Sequence, residues 1–148
     1  MKIRNKIGTL ILTIITIISL WSCAGVNDDY VFVHDSNTIS QMLCKASHNA
    51  GEYRGQITEY DKDGNILEGN FTQKDIEGGY GLILFAIPKS LENDIDLTNI
   101  YLIATVKYDV MINPTLTGRH DITGDGKIIT VTSGTGTQRQ YRVRGYYE

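Results

Sequence analysis

From Gly51 onward the chain is dominated by an alternation of apolar and polar residues with a period of two. It is cleanest near the C-terminus, where Tyr141, Val143 and Gly145 fall on one face of an extended segment and Gln140, Arg142 and Arg144 on the other. Lys127–Ser133 precedes this segment across Gly134-Thr135-Gly136-Thr137, so the two runs are expected to pair as a hairpin. A second hairpin is expected from Gln56–Tyr60 and Asn65–Phe71, because Asp61-Lys62-Asp63-Gly64 between them supplies an Asp-Gly turn. Leu82–Ile87 is nearly all apolar and reads as a central strand buried on both faces, ended by Pro88, which cannot donate to a ladder. Leu97–Val106 and Tyr108–Ile112 add strands before Asn113-Pro114. About seven short strands with turns every 8–12 residues is the pattern of a β-sandwich, so the expected fold class is all-β.

The earlier part of the chain departs from that pattern. Ile39, Met42, Leu43 and Ala46 recur at helical spacing, yet a helix this short is marginal alone and its surroundings are β, so residues 39–46 are read as a strand. Tyr30–His34 reads as a short extended segment. At the N-terminus Lys2, Arg4 and Lys6 precede an uncharged apolar run, Ile7–Leu20, which has the length of a signal h-region and falls short of the ~20 residues of a bilayer span.

That run closes on Leu20-Trp21-Ser22-Cys23, which resembles a bacterial lipobox, with Leu at −3 and a small residue at −1 before the cysteine; Trp21 departs from the usual small residue at −2. The resemblance implies cleavage before Cys23, lipidation of Cys23, and a membrane-anchored protein that does not span the bilayer. The expected organisation is a lipoprotein signal peptide at 1–22, a lipidated cysteine and flexible tether at 23–36, and a single β-sandwich domain at 37–148. Asp28-Asp29, shortly after the cysteine, resembles the surface-export signal of outer-membrane lipoproteins of the Bacteroidetes type.

Cleavage changes the charge balance. Lys2, Arg4 and Lys6 leave with the leader, so 11 of the 14 basic residues remain against all 17 acidic ones, a formal charge of −6. Nucleic acid is excluded as a partner, since it demands clustered Lys and Arg. Removing 22 residues from 148 leaves 126, enough for one domain with a real core. With Cys23 committed to lipid, Cys44 has no partner for an intrachain disulfide.

The segment from Gly81 to Tyr146 resembles the immunoglobulin- or cadherin-like domains of Bacteroidetes outer-membrane lipoproteins. The shared features are the strand ending in Ile87-Pro88, then Asp96-Leu97-Thr98, Asn113-Pro114-Thr115, Asp121-Ile122-Thr123-Gly124, and the closing strands Ile129–Gly134 and Gln140–Val143. This resemblance implies a single immunoglobulin-like antiparallel sandwich in the outer membrane, surface-exposed or periplasm-facing. It implies no catalytic residues, and such domains often accompany glycan-capture machinery.

Candidate chemistry is sparse. Glu59–Gly64 and Asp121–Gly126 superficially resemble calcium loops but lack the terminal ligands such loops need. Cys44 and His48 would be half a metal site on a helix, with no second pair to complete it. Ser133 lacks a nucleophile-elbow context, and neither glycine cluster has the lysine of a phosphate loop. No catalytic set, metal or cofactor is therefore expected. Tyrosine combines an apolar face with a polar tip, which suits sugar rings. Among Tyr53, Tyr60, Tyr80, Tyr101, Tyr108, Tyr146 and Tyr147, the chosen candidates for ligand contact are Tyr101, Tyr108, Tyr146 and Tyr147. Two roles stand open: an accessory module binding glycan or another surface ligand, or a structural subunit docking a neighbouring envelope protein. The latter could use the closing strand as an edge, with Arg139, Arg142 and Arg144 as guards.

Overall fold

Ten strands form among the residues described by the computed structural model, which are 34–69 and 78–148. They are β1 (Gln41–Lys45), β2 (Tyr53–Arg54), β3 (Gln56–Tyr60), β4 (Ile66–Leu67), β5 (Tyr80–Ile87), β6 (Ile100–Thr105), β7 (Met111–Asn113), β8 (Arg119–His120), β9 (Lys127–Thr132) and β10 (Gln138–Tyr147). The leader, Cys23, Asp28-Asp29, Tyr30–Val33 and Asn70-Phe71 lie outside the described residues.

The chain is all-β, and the strands lie in two sheets. One has the order β2-β1-β6-β8 and the other β4-β3-β5-β10-β9-β7. Residues 41–45 are a strand despite their helical spacing, because β1 pairs antiparallel with β6 along its whole length and sends Met42 and Cys44 into the core. The hairpin across Asp61–Asn65 forms as expected, with Glu59 opposite Leu67 and Tyr60 opposite Ile66. The closing hairpin also forms, β9 pairing with β10 from Gln138 opposite Thr132 to Val143 opposite Lys127.

Two expectations about strand placement are corrected. The sandwich is not wholly antiparallel: β10 runs parallel to β5, from Gln140 beside Tyr80 to Tyr147 beside Ile87. Between β5 and β10 the chain crosses to the other sheet for β6, returns for β7, crosses again for β8 and returns for β9, and a long connection of this kind permits parallel pairing where a tight turn does not. The closing strand is consequently no edge, since β5 and β9 occupy both its sides, and Arg139, Arg142 and Arg144 guard nothing. The edges among the described residues are β2, β8, β4 and β7, each two or three residues long. Short edges offer little to an added strand.

The inner faces of both sheets share one core. Met42 and Cys44 of β1 and Ile100 and Leu102 of β6 pack with Ile83, Phe85 and Ile87 of β5, Ile129 and Val131 of β9, and Tyr141 and Val143 of β10. Central strand β5 is not buried on both faces: Ile83, Phe85 and Ile87 are buried, Leu82 and Leu84 are half-buried, and Tyr80 and Ala86 are exposed. Its all-apolar sequence therefore conceals an alternation of environments. Gly81 is required on the inner face, because a Cβ there would stand 2.1 Å from Cε1 of the Tyr141 ring.

Candidate functional site

Strand alternation and register together decide which side chains leave the core and which neighbours they meet. On the outer face of the six-stranded sheet, one row across the strands runs Ile66, Tyr60, Tyr80, Gln140, Thr130. The next row runs Thr58, Leu82, Arg142, Ile128. Beyond it lie Gln56, Leu84 and Arg144, and then Ala86 beside Tyr146. No Asp or Glu occupies any of these outward positions.

Tyr60 and Tyr80, directly opposite on β3 and β5, stack with ring centroids 4.8 Å apart and an interplanar angle of 11°. Such a pair holds both rings upright and adds about 0.5–1.5 kcal/mol beyond area burial. Tyr80 remains 47 % exposed, as does Ile128 two strands away. Between them the surface dips into a depression of about 260 Å³ lined by Tyr80, Gly81, Ile128, Gln140, Tyr141 and Arg142. Nη1 of Arg142 donates to the Asp125 carbonyl oxygen at 2.6 Å, in the turn that leads into β9. One arm of the fork is thus tied to the protein, and the side chain lines the depression.

The inner face of the same sheet carries a different polar group. Arg139, 1 % exposed, donates from Nε to Glu59 Oε2 at 2.7 Å and from Nη2 to the carbonyl oxygens of Tyr60 and Tyr80 at 2.8 Å, with Nη2 also 2.7 Å from Glu59 Oε2 in an ion pair. Tyr141 donates to Glu59 Oε1 at 2.5 Å and accepts from the Ile39 N–H at 3.1 Å. Burial, and then the neighbouring Glu59 carboxylate, push the Tyr141 hydroxyl far above its ordinary range, so it stays a donor. These groups satisfy one another inside the core and tie the entry of β1 to the sheet.

The tyrosines singled out from sequence are not gathered into one site. Tyr101 projects from the four-stranded sheet, on the opposite side of the sandwich, with the Arg119 guanidinium 4.5 Å from its ring centroid and the His48 ring at 4.6 Å. Tyr108, 68 % exposed, lies in the turn between β6 and β7, edge-on to His34 at 4.9 Å. Tyr147 is half-buried; its hydroxyl donates to the Ile95 carbonyl at 2.6 Å and accepts from the Leu97 N–H, which makes it a structural clamp. Tyr146 alone of the four shares the outer face with the Tyr60–Tyr80 pair.

The remaining candidates take structural roles. Asp61 accepts from the N–H groups of Asp63 and Asn65 and from the Asn65 side chain, which hold its carboxyl below the usual range and shape the hairpin turn. Asp121 likewise caps its turn through the Thr123 hydroxyl and N–H. Cys44 lies on a strand, buried, its thiol pushed up to about 12, while His48 lies in the following loop against Tyr101. Ser133 bonds the Thr135 and Thr137 hydroxyls within its own turn. Among the described residues no three His, Cys, Asp or Glu side chains converge as metal ligands, and no helix is long and apolar enough to cross a membrane.

No family model matches the chain, and no curated protein matches it. Among solved structures it is similar to the crystal structure of a presumed secreted protein of Bacteroides fragilis, with a TM-score of 0.44 and 13 % identity over 77 % of this chain and 97 % of that one.

Proposed function

We propose that this protein is a lipid-anchored, non-catalytic envelope lipoprotein whose sandwich is an accessory binding module, and that the outer face of the six-stranded sheet is its contact surface. The observation that supports this reading most directly is the stacked Tyr60–Tyr80 pair beside the depression that Gln140, Ile128 and Arg142 help to line. An apolar wall and planar hydrogen-bonding groups side by side form the kind of surface that receives a sugar ring. The domain is read as immunoglobulin-like because β7-β9-β10 and β6-β8 follow the C-F-G and B-E order of that sandwich, with β1–β4 widening both sheets.

Anchoring at Cys23 in the outer membrane, facing either the surface or the periplasm, rests on the leader and the lipobox-like residues. Replacing Cys23 with Ala should release the full-length protein from sedimented membranes; a variant that still sediments would refute the anchor. For the binding role, full-length protein should be retarded in native gels that contain dissolved polysaccharide, and Tyr80→Ala should weaken that retardation roughly 5- to 10-fold. Equal retardation of Tyr80→Ala would remove the surface from the account. Exposed Ile66, Ile128 and Met111 on the same sheet support a second reading, a docking face for a neighbouring envelope protein.

A further inference from the structure

We infer that the depression beside Tyr80 seats one acidic sugar residue of a polysaccharide, its ring against Tyr80 and its carboxylate on Arg142. This rests on the binding-module reading above and names the chemistry of its ligand. Size is the first constraint. At about 260 Å³ the depression falls just below the ~300 Å³ where sites for drug-sized ligands begin, so it fits a single ring and leaves the remainder of a polymer lying along the open sheet.

Charge is the second constraint. The chain carries a formal net charge of −3, yet the outward positions of this sheet hold Arg142 and Arg144 and no carboxylate. These arginines are two residues apart on one strand, hence about 6.6 Å along it, and both exposed. A positive strip on an acidic protein selects a ligand of opposite sign. Arg142 is also tethered beside the depression: Nη1 donates to the Asp125 carbonyl, and the other N–H groups of its planar fork remain for a carboxylate.

Apolar lining is the third. Tyr80 stands beside Gln140 and Ile128 beside Arg142, on opposite sides of β10, so a ligand must offer hydrophobic faces as well as an anion. A hexuronate ring offers both, its C–H face to the tyrosine and its carboxylate to the guanidinium, with hydroxyls for the Gln140 amide. An acidic peptide would satisfy Arg142 while leaving the ring-sized recess beside Tyr80 without an occupant.

The test compares three polymers on full-length protein: polygalacturonate, the same galacturonan fully methyl-esterified, and polyglutamate. Polygalacturonate should be bound about tenfold more tightly than either of the others, with affinity falling as salt rises. Arg142→Gln should reduce that affinity about tenfold and Arg144→Gln less, both with unchanged urea midpoints. Equal binding of the esterified polymer would overturn the carboxylate assignment and leave the binding module standing. Equal binding of polyglutamate would overturn the sugar in favour of an acidic protein partner. Full affinity in Arg142→Gln would overturn the site, and binding of none of the three polymers would overturn the inference.

Discussion

Arg139 and Arg142 lie three residues apart on β10 and face opposite ways, and the two environments set opposite demands on the same side chain. Arg139 points into the core, where an unpaired charge costs several kcal/mol, and the structure answers with Glu59 and two backbone carbonyls. Arg142 points to solvent, where water already satisfies it, and meets one carbonyl. The buried arginine is consumed by the fold. The exposed one is available, which is why function is assigned to the outer face of this sheet and stability to the inner.

The sharpest way to break that contrast is on the inner side. Glu59→Ala should destabilise the protein by about 3–5 kcal/mol, because it strands Arg139 in the core, and combining it with Arg139→Met should recover most of the loss. Urea denaturation of the single and double variants measures both; a loss under ~1 kcal/mol for Glu59→Ala would mean that Arg139 is hydrated in solution. Next comes Gly81→Ala, whose methyl group would collide with the Tyr141 ring and should cost about 1–3 kcal/mol in the same assay.

A smaller effect follows from pH. The folded state holds Cys44 and Tyr141 neutral by burial, so the stability they contribute is fully present below their unfolded values, about 8.5 and 10. It is lost as pH rises above those values. The urea midpoint should stay level from neutral pH to about pH 8 and then decline, and Cys44→Ala should remove the first part of the decline. The smallest expected change is on the outer face, where Arg142→Gln should alter stability by less than about 0.5 kcal/mol. A large loss there would erase the distinction between the faces.

Much of this architecture was legible from residue order. The β9–β10 hairpin, the turn at Asp61–Asn65 and the alternation on β10 followed from period two and Gly-containing turns. The same alternation places Arg139 and Tyr147 on the inner side with Tyr141 and Val143, so both were readable as structural, yet exposure was expected of each because arginine and terminal tyrosine are ordinarily solvated. The parallel pairing of β5 with β10 was not legible, since register between strands some fifty residues apart depends on the sheet crossover and not on local pattern. The Tyr60–Tyr80 pair was obscured for the same reason: two tyrosines twenty residues apart become neighbours only through the β3–β5 register.

The central claim, that ligand binding belongs to the outer face of the six-stranded sheet, is tested most directly by amide chemical-shift mapping of the full-length protein titrated with polygalacturonate. The account predicts shifts concentrated at Tyr80–Leu84, Ile128 and Gln140–Arg144, with Tyr101, Tyr108 and their neighbours unmoved. Shifts centred instead on Tyr101 and the four-stranded sheet, or on the turn that carries Tyr108, would contradict it.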